Sequence, residues 1–240
     1  MAIDSQHDEQ RKRLGKFYSL ANIRYLHGVL VGNRLYFTDP SEFNDPFEMV
    51  PAIFKTRAFK RVTETSTKIS REAVDRILLE TWEMHREKYR KWGVSCFTEA
   101  LDDIVMWSHY GDKHRGVCLI FDTTYKFFKG VVQVKYVPQR PLIPMFRRDP
   151  QKVIEIMRCK LQLWSYEREW RLFRRHRNRA YVFPKSSLKG IVFGCRCSAE
   201  DKDLVLRMTH GRNLEYFDAK MSPYDYKLEL LPLQQLQIKP

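Results

Sequence analysis

Glu167 and Glu169 stand two residues apart between large aromatics, in the stretch Trp164-Ser165-Tyr166-Glu167-Arg168-Glu169-Trp170-Arg171. On a β-strand such a pair shares one face, about 7 Å apart at the usual rise per residue. Two carboxylates at that spacing can stabilise a cationic transition state and take a proton from a nucleophile. The same residues also fit a plain strand face on which Glu169 pairs with Arg171. On a helix, Glu167 and Arg171 would instead form an i,i+4 ion pair.

A cationic run follows: Arg168, Arg171, Arg174, Arg175, Arg177 and Arg179. Arg171 lies close enough to the acids to help hold an anionic substrate. Between Arg140 and Arg179 there are 12 Lys/Arg against 4 Asp/Glu, so these 40 residues carry more than half of the chain's net charge of +14. Clustered positive charge points to a phosphate-bearing partner, either a nucleotide or a nucleic acid. In the second case Arg168, Arg174, Arg175, Arg177 and Arg179 are the phosphate contacts. A solvated basic face has the same composition.

Three further clusters carry reactive types. In Met106-Trp107-Ser108-His109-Tyr110-Gly111-Asp112-Lys113-His114, His109 and His114 can serve as acid and base near neutral pH, as a metal-free ribonuclease would require. Trp107 and Tyr110, three residues apart, fit a base-stacking platform or a helix face turned to the core. In Phe43-Asn44-Asp45-Pro46-Phe47-Glu48, Asp45, Pro46 and Glu48 read as a capping box opening a helix. Asn44 has no part in that cap and is a candidate substrate contact. In Cys96-Phe97-Thr98-Glu99, Cys96 is a nucleophile or a buried strand thiol, and Glu99 a site acid or a solvated loop residue. Two histidines five apart do not share a helical face, and Cys195-Arg196-Cys197 lacks zinc-ribbon spacing, so no metal is expected.

These residues sit at the ends of short elements. Strands are expected at 16–19, 34–38, 94–97, 116–121, 131–137, 167–173, 190–193, 213–217 and 226–231. Helices are expected at 22–30, 70–92, 102–110, from Asp149 through Trp164, and 198–210. Interspersed helices and short strands argue for one α+β domain over 15–240, with a mixed or mainly antiparallel sheet flanked by helices. A flexible arm over 1–14 precedes it, and Thr56 to Lys68 is the best candidate for a mobile insertion. With 43% hydrophobic residues, 15 Phe, 12 Tyr and 5 Trp, the chain is too rich in core formers to be disordered. No apolar stretch reaches membrane-spanning length, no secretory leader is visible, and five cysteines are an odd number, so a reducing cytoplasm is expected.

Taken together, Leu35-Tyr36-Phe37-Thr38, Phe43 to Glu48, Cys96 to Glu99, Met106 to Tyr110, Gly116-Val117-Cys118, Glu167 to Arg171 and Val192-Phe193-Gly194 resemble the bacterial domain-of-unknown-function family numbered 2971. That resemblance spans Lys16 to Asp218 and implies no activity. The order of elements is also similar to that of ADP-ribosyltransferases. This second resemblance implies NAD as substrate, Thr38 or Tyr36 as a substrate contact, Glu169 as the catalytic carboxylate and Glu167 as its partner. Lys16-Phe17-Tyr18-Ser19 has neither the Arg nor the His of that family's first strand. Arg24, Arg34 or the cationic run would then have to hold the phosphates. The readings that follow are a nucleotide-handling enzyme, a nucleic-acid-binding module, or a partner protein in a phage-defence or toxin setting.

Overall fold

A computed structural model describes residues 13–49, 52–54, 70–89, 91–144 and 155–233. Thr56 to Lys68 and the start of the helix expected at Asp149-Pro150 lie outside the described residues, as do residues 1–12 of the expected arm. Arg13 and Leu14 already belong to the first strand.

The strands are β1 (Arg13–Tyr18), β2 (Arg34–Phe37), β3 (Ala52–Phe54), β4 (Gly93–Thr98), β5 (Val117–Asp122), β6 (Val132–Gln133), β7 (Lys135–Val137), β8 (Leu142–Pro144), β9 (Cys159–Leu161), β10 (Glu169–Arg174), β11 (Arg179–Val182), β12 (Leu188–Phe193), β13 (Glu215–Met221) and β14 (Leu228–Pro232). The helices are α1 (Ile23–Leu30), α2 (Arg71–Tyr89), α3 (Ile104–Tyr110) and α4 (Ala199–Met208). Eight strands form one sheet in the order β14-β13-β12-β5-β1-β4-β10-β6. Its pairings are antiparallel except β12 with β13, which α4 connects. The architecture is thus α+β with a mainly antiparallel mixed sheet.

The apolar run of β5 explains its central place, because both of its faces are covered. Val117, Leu119 and Phe121 enter one core layer, roofed by Leu26, Val29 and Leu30 of α1 and Val205 of α4. Cys118 and Ile120 face the other layer, where Trp107 of α3 is fully buried. Asp103 fixes the start of α3 by accepting hydrogen bonds from the amides of Val105 and Met106. β10 alternates as its sequence suggests: Trp170 and Leu172 join the first layer, and Phe173 packs on the opposite side with Val94, Ile156 and Met157.

Three expectations differ from the structure in ways that matter. The helix expected through Trp164 stops short of it: residues 155–157 are helical, but β9 occupies Cys159–Leu161 and a 3-10 turn occupies Gln162–Glu167. The strand expected from Glu167 begins at Glu169, because Arg168 takes a left-handed conformation (φ 42°) between turn and strand. The expected strand over 131–137 is also divided: β6 pairs with β10, while β7 pairs in parallel with β9. No described helix is long and apolar enough to cross a membrane.

Gly116 shows how closely the strands approach. A Cβ there would lie 2.2 Å from the Tyr18 carbonyl oxygen and 3.0 Å from that of Gly111, both backbone atoms that cannot step aside. Gly116→Ala is therefore expected to destabilise the fold by about 1–3 kcal/mol, the usual cost of overpacking. Equilibrium urea unfolding measures it, and an unchanged midpoint would contradict this account.

Candidate functional site

The site forms where the central sheet parts. β1 runs beside β5 over six residue pairs but meets β4 in register at Gly15 opposite Thr98. Beyond that pair the Cys96 carbonyl receives the Lys16 ammonium, 3.0 Å away, in place of a backbone amide. The opening is a cleft of about 320 Å³, walled by Phe17, Phe43, Phe97 and Met106 and floored by Glu48, Lys160, Glu167 and Glu169.

A continuous chain of polar contacts crosses the floor. The Asn44 side-chain amide donates to the Tyr110 hydroxyl (3.1 Å), which donates to Glu167 Oε1 (2.7 Å). Lys160 Nζ donates to Glu167 Oε2 (2.5 Å) and to Glu169 Oε2 (3.1 Å), and lies 3.4 Å from Glu48 Oε1. Arg171 grips Glu169 with Nε (2.8 Å) and Nη2 (2.9 Å), donates from Nη1 to the Met157 carbonyl, and forms an ion pair with Glu48. The Tyr136 hydroxyl accepts from the Glu169 amide (2.9 Å), and the Lys160 ammonium lies 5.1 Å from the centre of the Trp164 ring.

Local sequence explains how each group arrives. Thr98 Oγ1 donates to the Glu167 carbonyl and the Glu99 amide to that of Arg168, so the end of β4 pins the turn. The left-handed Arg168 then lets Glu167, from a turn, and Glu169, from a strand, meet at one ammonium. Glu48 is turned inward by Asp45, whose side chain caps the Phe47 amide.

The electrostatics follow from burial. Glu48, Glu167, Glu169, Lys160 and Arg171 are all at most 6% exposed. Burial raises the Glu169 carboxyl above the ordinary range; the Lys160 charge opposes that rise and Glu167 adds to it. For Lys160, burial pulls downward, but Glu169 and Glu167 prevail and hold it above a normal lysine. Burial lowers the Arg171 guanidinium to about 9, which leaves it cationic at neutral pH. Burial, then Glu167, pushes the Tyr110 hydroxyl up, so the phenol keeps its proton. Burial, then Glu169, raises the Cys96 thiol well above its usual value, contrary to what an activated nucleophile needs.

The structure brings together Glu167, Glu169, Arg171, Tyr110 and Asn44. Both acids line the cleft: Glu169 is held by Arg171 and Lys160, and Glu167 by Tyr110 and Lys160. Glu48, expected to close a helix cap, is part of the floor, and residues 46–49 form a turn rather than a helix. His109 stays at the rim, exposed, among Tyr110, Trp164 and Tyr166, with its Nδ1 3.4 Å from the Tyr166 hydroxyl. His114 lies elsewhere, its backbone bonded to Trp107 and Arg196, so the two histidines do not form an acid–base pair. Trp107 is core, with Nε1 bonded to the Leu101 carbonyl, and is no stacking platform. Tyr36, packed on Tyr25, and Thr38, bridged to Val94 by its backbone, belong to β2 and its end and do not line the cleft. Glu99 accepts from Trp170 Nε1 (2.8 Å) and positions that ring.

The side chains of the cationic run make varied contacts. Arg174 donates to the carbonyls of Phe173 and Phe127 and stacks on Phe37 and Phe127. Arg177 pairs with Asp39 (2.7 Å) and Arg168 with Asp102 (3.5 Å). Arg179 stacks on Tyr181, and Arg175 is exposed.

Sequence reasoning missed Lys160 altogether. On the expected helix it borders the apolar face, three residues after Met157 and four before Trp164, where a lysine has no evident partner. Its signal lay in the chain around it: a lone Lys seven residues before a carboxylate pair, with Trp164 between.

Residues 106–172 match the model of a family described as a protein of unknown function, DUF2971, the family to which the motifs point. The matched stretch contains Tyr110, Lys160, Glu167, Glu169 and Arg171, so most of the site lies within it. No curated protein and no solved structure matches the chain.

Lys160→Met leaves Glu167 and Glu169 facing each other without their shared cation. Removing one partner from a buried ion cluster costs about 3–5 kcal/mol. The two carboxylates would then bind a proton more readily folded than unfolded, so stability falls as pH rises through and above the ordinary carboxylate range. The deficit against the wild type in thermal unfolding should be smaller near pH ~5 than near pH ~8. A deficit independent of pH would contradict this arrangement.

Proposed function

We propose that this chain is an enzyme of nucleotide chemistry that breaks an N-glycosidic bond whose base is cationic or leaves a cationic sugar behind, as in transfer or hydrolysis of NAD-type substrates. One observation carries the reading: in a chain of net charge +14, the cleft floor has three carboxylates around the single ammonium of Lys160, between aromatic walls and with Arg171 buried behind. The lining adds Glu42 on the acidic side and Lys16 on the basic side, and burial lowers the pKa of Lys16. Such a cleft suits a flat cationic ring and a developing positive charge better than it suits a phosphate. Buried ion clusters are poor stability devices, since well-packed apolar side chains of the same volume do as well or better. Perturbed groups gathered at a cleft are what catalysis requires.

In this reading the C1–N bond breaks, its electron pair leaves with the base, and the sugar becomes oxocarbenium-like. Glu167 faces that charge. Lys160 is the cation bonded to Glu167, while Tyr110, itself held by Asn44, fixes the carboxylate's orientation. Water or another acceptor adds to C1, and its proton passes to a floor carboxylate. Glu169, held by Arg171, positions Lys160 rather than touching substrate. The scattered contacts of Arg168, Arg174 and Arg177 give less support to a nucleic-acid-binding module.

The test is release of free base from NAD and from nucleosides with cationic or neutral bases. Glu167→Gln should lower the rate by about 10²-fold or more while its thermal unfolding stays cooperative, and Tyr110→Phe should lower it less. Full activity in Glu167→Gln, or no release from any of these compounds by the wild type, would remove the proposal.

A further inference from the structure

A second, larger cavity lies apart from the cleft and has the opposite character. It is a groove of about 800 Å³ at the end of the sheet where β1, β12 and β13 begin and β5 ends. Four cations line it, Arg13, Lys185, Lys189 and Arg212, against two acids, Asp122 and Glu215. The pairing among them is incomplete. Arg13 is bound twice to Glu215 (2.6 and 2.9 Å), and Lys189 lies 3.8 Å from Asp122. Arg212 is anchored by two neutral acceptors, the carbonyls of Leu30 and Lys185, so its charge is held in place but not neutralised. Lys185 is exposed and has no ion pair among the described residues.

A guanidinium fixed by backbone carbonyls, beside an unpaired ammonium, is a preformed receptor for a phosphate group. Ser186 and Asn213, both exposed on the groove, add hydrogen-bonding side chains next to these charges. The chain reaches this position through Gly211, whose left-handed backbone (φ 72°) has open space where a side chain would stand. The volume lies within the range of small-ligand sites and accepts one nucleotide.

The geometry points to this groove as a second ligand site, for a free nucleotide carrying a diphosphate, held by Arg212 and Lys185 and separate from the carboxylate cleft. The phosphate partner that the chain's charge implies is thus received here, and not by the run from Arg168 to Arg179. The two sites share β1, which offers Arg13 to the groove and Lys16 to the cleft.

Calorimetric titration of the full chain with ADP, pyrophosphate and a short single-stranded oligonucleotide tests the site. ADP and pyrophosphate should bind the wild type. Lys185→Glu should weaken both by about tenfold or more and lower the salt slope by about one. Arg175→Glu, an equally exposed charge outside the groove, should bind like the wild type. Glu167→Gln should also bind ADP normally, which keeps this result independent of the cleft's chemistry. The proposal is overturned if neither ADP nor pyrophosphate binds, if only the oligonucleotide binds, if Lys185→Glu binds like the wild type, or if Arg175→Glu weakens binding equally.

Discussion

One ammonium organises this protein's interior. Lys160 lies within ion-pair distance of Glu48, Glu167 and Glu169, which come from a loop, a 3-10 turn and a strand. Three carboxylates this close could not all stay ionised without it, and burial multiplies the penalty. Arg171 takes part of the load by clamping Glu169 and reaching Glu48. The surrounding elements can be understood as the apparatus that delivers these five groups: β9 carries Lys160, the end of β4 pins the turn of Glu167, and β10 supplies both Glu169 and Arg171. An apolar replacement of the whole cluster would cost the fold little. Its place on the floor of a cleft makes sense in terms of what the cleft admits.

How much of this can be read from residue order depends on the range of the interaction. Period-two alternation divides β10 into Trp170 and Leu172 against Glu169, Arg171 and Phe173, because that pattern is local, but it also counts Glu167, which belongs to the preceding turn. The convergence of Tyr110 and Asn44 with the acids is legible as crowding of polar and aromatic types at element ends. Glu48 was masked by a local explanation, since a Glu three residues after Asp45 satisfies a helix cap on paper. Its tertiary attraction to Arg171 and Lys160 outweighs that preference. Lys160 was hidden because a helical period continues through Met157 and Leu161, yet pairing of β7 with β9 takes over at Cys159. Trp107, Tyr36 and Thr38 show the converse: reactive residue types in suggestive places that packing or strand pairing claims first.

Charge is segregated more sharply than composition suggests. Most of the arginines between Arg168 and Arg179 contact carbonyls, rings or single carboxylates, which holds their side chains in place. A cluster of acids lies inside, at the parting of β1 and β4, and the cations Lys185 and Arg212, without ion pairs among the described residues, line the groove at the far end of the same β1. A ligand with one cationic and one anionic part would feel opposite fields at the two ends of a single strand.

The left-handed Arg168 bears on how such a site could change. Its unusual backbone decides which face each of the two neighbouring glutamates occupies, while its own side chain reaches only an exposed aspartate. Position 168 is therefore a hinge of geometry and not of charge. A residue comfortable at positive φ preserves the convergence whatever its polarity, whereas a β-branched residue would swing one carboxylate away without altering a single reactive group. The chemistry of the cleft can thus be tuned, or silenced, through a residue that takes no part in it.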